Sequence, residues 1–84
     1  MQDTAERVRS LVCEHLGVEP AIVTDAATFS GDLGADSLDR VELTMAAEQA
    51  FGVCIDDGEA EEVKTVAEFV TLVDRKRWQQ TASV

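Results

Sequence analysis

Ser37 is a hydroxyl with an acid on one side and another two residues on, in the run Gly34-Ala35-Asp36-Ser37-Leu38-Asp39. The run falls where a Gly-containing stretch gives way to an uninterrupted helical one. Ser and Asp have an ordinary use there, because short oxygen-bearing side chains accept hydrogen bonds from the free N–H groups of a helix's first turn. A second use is chemical. A hydroxyl at a helix N-terminus lies beside unpaired N–H groups and the positive end of the dipole, a setting that suits a phosphate ester. The single histidine, His15, is remote in sequence, so no base is in view to make Ser37 a self-activated nucleophile. Ser37 reads either as a capping or first-turn residue or as a handle modified in another protein's active site. Asp36 would then help to position that enzyme or its metal ion.

The rest of the composition narrows the partners. A chain of 84 residues has room for one small domain. Its 17 Asp and Glu outnumber 7 Lys and Arg, for a net charge of −10. Such a field repels nucleic acid and anionic lipid and favours encounter with basic protein surfaces. With 45% hydrophobic residues the chain is nonetheless expected to fold. Cys13 and Cys54 form no C-x-x-C pair and no cluster with metal-ligand spacing, so they read as idle or buried thiols. Asp56-Asp57-Gly58 lacks the acid spacing of a calcium loop. No apolar leader and no apolar run of bilayer length is visible, which suggests a cytoplasmic protein without membrane insertion. For want of a base, a metal cluster or a phosphate-cradling Gly loop, the chain is not expected to be an enzyme.

Helical punctuation supplies the elements that must hold Ser37 in place. A first helix is predicted over Thr4–Leu16, capped by Asp3 with Glu6 three residues on, and ended at Gly17. Val8, Leu11, Val12 and Leu16 form its apolar stripe. A long connection from Val18 to Asp36 contains Pro20, Gly31 and Gly34, and Ile22, Val23, Phe29 and Leu33 are expected to pin it to the core. A second helix is predicted over Ser37–Phe51, with Gly52 ending it. A short helix should start at Asp56 or Asp57 and reach Glu62. The last should start at the capping box Thr65-Val66-Ala67-Glu68, present Val66, Phe69, Val70 and Val73 to the core, and end with Arg75, Lys76 and Arg77 in its final turn. No stretch alternates with period two. The predicted class is all-α: a small four-helix bundle with three longer helices, one short third helix and a long loop between the first two.

The second helix carries two apolar stripes. At about 100° per residue, Leu43, Ala47 and Ala50 share one face with Phe51 at its edge, while Leu38, Val41 and Met45 share the opposite one. A surface helix of a thin bundle needs one buried stripe. The other is either buried as well, if the helix is central, or a docking strip. Asp39, Glu42, Glu48 and Gln49 flank it, and an apolar strip rimmed by acids suits a small transient interface. Arg40 projects near the core face and can snorkel toward the loop.

Residues from about Ala5 to Val73 resemble the bacterial type II acyl carrier protein family. The resemblance is carried by Glu6-Arg7-Val8, His15-Leu16-Gly17-Val18, Asp32-Leu33 running into Gly34-Ala35-Asp36-Ser37-Leu38-Asp39, Val41-Glu42-Leu43, Phe51-Gly52-Val53, Glu59-Ala60 and Lys64-Thr65-Val66. It implies a carrier, not an enzyme, with 4′-phosphopantetheine from coenzyme A attached to Ser37 by a Mg-dependent phosphopantetheinyl transferase that recognises Asp36. It implies thioester-bound acyl groups shuttled between synthases, reductases, dehydratases and acyltransferases whose basic patches dock on Leu38, Asp39, Val41, Glu42, Met45 and Glu48. It implies an acyl pocket lined by Phe29, Leu43, Ala47, Phe51, Ile55, Ala60 and Val63, which is otherwise ordinary core. The expected organisation is a carrier domain over residues 1–78 with a polar, frayed tail over residues 79–84, in a monomer.

Some residues depart from the common pattern. Thr44 and Ala47 stand where larger or purely aliphatic side chains are usual, and Cys54-Ile55-Asp56-Asp57-Gly58 replaces a commoner turn. Gly58 weakens the start of the short helix. These differences suggest a roomier or looser pocket suited to a long, branched or unusual acyl group. The acid-rich second helix favours fatty acid metabolism, with a polyketide, peptidyl or specialised lipid pathway as the alternative. An acidic mimic of nucleic acid is a third reading, and it leaves Asp36-Ser37-Leu38 and the second stripe without a purpose.

Overall fold

The computed structural model describes the backbone of residues 4–82 and the side chains of residues 4–78. Four α-helices are present among the described residues: α1 Thr4–Leu16, α2 Ser37–Phe51, α3 Asp57–Glu62 and α4 Val66–Ala82, with a 3₁₀ turn at Pro20–Ile22. The described residues contain no strand, and one isolated antiparallel bridge joins Thr28 to Thr65. The expected helical bundle is the observed architecture. Asp3, the predicted cap of α1, lies outside the described residues.

Helices α1, α2 and α4 surround a core of Val8, Val12, Leu43, Ala47, Val66, Phe69, Leu72 and Val73, with Leu11, Leu16 and Val70 partly buried against it. Thr4 extends the tie between α1 and α4: its hydroxyl donates to Asp74 Oδ1 at 2.9 Å and accepts from Arg77 Nη1 at 2.8 Å. Helix α4 runs four residues past Trp78, to Ala82. Arg75, Lys76 and Arg77 therefore lie more than a turn before its end rather than in its last turn. Lys76 is engaged sideways, with Glu59 of α3.

The connection of residues 17–36 has no regular element beyond the 3₁₀ turn, yet its backbone is paired. The Phe29 amide donates to Lys64 O, the Val66 amide to Ala27 O and the Ala67 amide to Asp25 O. The loop thus hydrogen-bonds to the link between α3 and α4, where its polar groups would otherwise go unpaired. Val23, Ala27, Phe29, Leu33 and Ala35 are buried, and the Phe29 ring meets the Phe69 ring edge-on at 5.7 Å. Ile22 was expected among these anchors but is 45% exposed. It closes the 3₁₀ turn, and the next residue, Val23, takes the inward position.

Gly34 has φ of 67° and Gly52 of 66°, a region that a Cβ makes unfavourable. Gly34 reverses the chain just before Asp36, and Gly52 ends α2. The two glycines therefore set both limits of the helix that carries Ser37. Cys13 is half-buried and Cys54 exposed, both as free thiols.

Candidate functional site

Helix α2 starts with a reciprocal cap. The Asp39 amide donates to Asp36 Oδ1 at 2.8 Å, and the Asp36 amide donates to Asp39 Oδ2 at 3.2 Å. Asp36 is therefore the capping residue, and Ser37 occupies the first helical position. Ser37 is exposed, and its hydroxyl makes no hydrogen bond among the described residues. The capping role falls to its neighbour, Asp36. Ala35, two residues upstream, is buried, and its amide donates to Phe29 O at 2.7 Å. A rigid approach thus delivers a free hydroxyl to a solvent-facing corner at the positive end of a 15-residue helix.

The two stripes of α2 separate as their spacing predicts. Leu43 and Ala47 are 2% and 0% exposed, whereas Leu38, Val41 and Met45 are 64%, 55% and 52% exposed. A doubly buried helix is therefore excluded. Ala50 departs from its stripe and is exposed. It lies near the end of α2, where Arg7 reaches over from α1 and donates to Ala50 O at 2.9 Å. The same guanidinium lies 4.3 Å from the Phe51 ring centre, and that of Arg77 lies 5.2 Å from it. Phe51 thus faces the α1 and α4 side.

The acids along the exposed stripe are unequal. Glu42 is exposed and makes no hydrogen bond or ion pair among the described residues. Asp39 belongs to the cap. Glu48 accepts from the Ile55 amide at 2.9 Å, and so holds the turn between α2 and α3. That long-range duty had no signal in the local pattern.

Helix α3 lies across the gap between α2 and α4 and is held at three points. Glu59 pairs with Lys76 at 2.8 Å, the turn before it is fixed by Glu48, and Arg40 Nη2 donates to the carbonyls of Ala60 and Val63. Arg40 does not turn toward the loop before α2: it reaches the C-terminal end of α3, where the last carbonyls of a short helix lack i+4 partners. The bonded Lys76 ammonium and, next, the Asp56 amide hold the Glu59 carboxyl below its ordinary value of 4.5. At the start of α4, the amides of Lys64 and Thr65 hold Glu68 low in the same way. This is the predicted capping box, completed by the Glu68 amide donating to Thr65 Oγ1 at 3.2 Å.

Beneath α3 lies a cavity of about 10 Å³, lined by Phe29, Arg40, Leu43, Thr44, Ala60, Val63 and Phe69. That is room for about one water molecule. Ala47, Phe51 and Ile55 do not line it. The edge-on Phe29 and Phe69 rings and the Arg40 side chain are among its walls. Outside it, an open groove of about 440 Å³ begins at Ser37 and runs between α2 and α3 past Val41, Met45 and Ile55. Arg40, Thr44 and Ala60 border both spaces. Among the described residues no cluster of His, Cys, Asp and Glu could hold a metal ion, and no helix is long and apolar enough to cross a membrane.

A free serine at a capped helix start, beside an exposed apolar strip and a groove, is an arrangement suited to modification and docking. The model of the phosphopantetheine attachment site family matches residues 6–73. A curated relative from Zymomonas mobilis, named acyl carrier protein, is 52% identical over 77 residues, which cover 92% of this chain and 99% of the relative. The chain belongs to the acyl carrier protein family. It is a carrier rather than a catalyst, and its prosthetic group is 4′-phosphopantetheine.

Proposed function

We propose that Ser37 is the residue that carries the phosphopantetheine arm. The observation that supports this most directly is the exposed Ser37 hydroxyl, left without a hydrogen bond because Asp36 takes the capping role. The arm supplies a thiol on which acyl groups ride as thioesters. Ser37 presents its oxygen to a phosphopantetheinyl transferase, and the first-turn N–H groups of α2 favour the resulting phosphodiester charge. Asp36, also exposed, is the acid that the transferase reads. Leu38, Val41 and Met45 supply the apolar contacts of the docking strip, with Glu42 as its free charge and Asp39 and Glu48 contributing field from their structural positions. The partners are acyl-transferring synthases, reductases, dehydratases and acyltransferases with basic patches. The carrier works as a cytoplasmic monomer, and its pathway is fatty acid synthesis. A specialised lipid or polyketide pathway is favoured instead by the two polar residues, Arg40 and Thr44, in the wall of the small cavity.

The test is direct. Apo protein is incubated with coenzyme A, Mg²⁺ and a broad-specificity transferase, and the intact mass is measured. One phosphopantetheinyl group should be gained by the wild type and none by Ser37→Ala. A gain that persists in Ser37→Ala would move the attachment site elsewhere.

A further inference from the structure

Arg40 and Thr44 are the polar side chains among the seven that line the cavity under α3. Both also line the groove that begins at Ser37, so they stand where the two spaces meet. The Arg40 guanidinium spends Nη2 on the carbonyls of Ala60 and Val63. Its Nε and Nη1 make no hydrogen bond among the described residues, and the ion pairs there join other residues, Arg9 with Asp25 and Lys76 with Glu59. A half-buried cation with donors to spare thus stands between the groove and a cavity that, at about 10 Å³, must widen under the short helix α3 before an acyl chain can enter. The Thr44 hydroxyl donates to Arg40 O at 2.8 Å, which leaves its oxygen free to accept.

Apolar pockets draw their specificity from a few placed polar groups. A saturated chain that enters past Arg40 strips water from the guanidinium and returns no hydrogen bond, which works against burial. A chain with an oxygen substituent returns one: a keto or hydroxyl oxygen accepts from Arg40, and a hydroxyl also donates to Thr44. We propose that Arg40, assisted by Thr44, makes the shelter beneath α3 selective for acyl groups that carry a hydroxyl or keto oxygen over saturated groups of the same length. This rests on Ser37 carrying the arm.

The holo-protein is made in two forms, from hexanoyl-coenzyme A and from 3-hydroxyhexanoyl-coenzyme A, and intact mass verifies loading. Thioester cleavage by hydroxylamine is then timed for each form against the matching acyl-pantetheine free in solution, so that intrinsic reactivity cancels. The hydroxylated cargo should be protected about tenfold more than the saturated one, the ratio carried by one hydrogen bond to a charged donor. Its loading should also shift the NMR signal of the Arg40 Nε–H, which hexanoyl loading leaves in place. Arg40→Met should bring the protection ratio close to one, and Arg40→Lys should restore part of it. Thr44→Val keeps the Arg40 bonds to α3 and should still lower the ratio, which separates selection from loss of α3. Equal protection of the two cargoes on fully loaded wild type overturns this inference alone. Absence of any mass gain overturns the Ser37 reading and this inference with it.

Discussion

Asp36 accepts the Asp39 amide at 2.8 Å and leaves the Ser37 hydroxyl without a structural duty. The two roles given to Asp36, helix cap and acid read by the transferase, make different demands. A cap needs an acceptor oxygen, which Asn also provides. Recognition by charge needs the carboxylate. Asp36→Asn should therefore change unfolding stability by less than about 0.5 kcal/mol, whereas Asp36→Ala should cost about 1 kcal/mol. Both should lower transferase kcat/KM to a similar extent. Urea unfolding and transferase kinetics on the same samples give the two readings. Wild-type kinetics in Asp36→Asn would leave Asp36 as a cap only. At this scale the sequence is informative where partners are local. Asp36, Ser37 and Asp39 are within one turn, so a cap at this point is legible from the residue types, but those types offer Ser37 for it, whereas the Asp36–Asp39 pair fills it. Arg40 bonds to carbonyls 20 and 23 residues away, and no local periodicity encodes that. Ala50 was misplaced for a related reason: helical projection assigns a face but does not say where along the helix the core stops.

The elements differ in how far they hold themselves. Helix α2 has 15 residues, a reciprocal cap and a glycine end, and its bounds follow from those signals. Helix α3 has six residues, one of them Gly58, too few to persist by propensity alone. Its span from Asp56 or Asp57 to Glu62 was legible in the sequence, but its anchors on α2 and α4 were not. Glu59 is the anchor that titrates. Lys76 and the Asp56 amide hold its carboxyl below 4.5 in the folded state. A carboxyl with a lowered folded value stabilises the fold above its unfolded value, and that contribution is lost as pH falls through the folded value. Glu59→Gln should therefore be less stable than wild type near neutrality, and the difference should shrink as pH drops below 4.5. Urea midpoints of both proteins across that range measure it, and NMR cross-peaks of residues 57–62 should report the change first. A difference that stays constant with pH would remove the Glu59 carboxylate from the account of how α3 is held.

Charge is unevenly spread over the whole molecule. Nine of the 17 acids fall between residues 36 and 64, against Arg40 and Lys64 alone, while the other five basic residues lie on α1 and α4. Arg40 is turned onto α3, so the side of the bundle that bears Ser37 and the exposed strip is nearly all negative. Two effects of salt then compete in the free protein. Screening weakens the ion pairs, but Arg9–Asp25 is largely exposed, where pairs contribute about 0–1 kcal/mol, and the more buried Lys76–Glu59 pair is screened less. Screening also relieves self-repulsion at a net charge of −10, which acts on every pair of like charges within a Debye length of about 8 Å at physiological salt. Repulsion outweighs the pairs. Sodium chloride should therefore raise the melting temperature of the apo protein from low ionic strength to about 0.15 M. Over the same range transferase kcat/KM should fall, because encounter with a basic partner loses its steering. Opposite slopes from one titrant would show that the charge that weakens this small fold is the charge that brings its partners in. A melting temperature that fell with salt would mean that ion pairs hold the bundle together, and would detach the acid-rich face from any cost to stability.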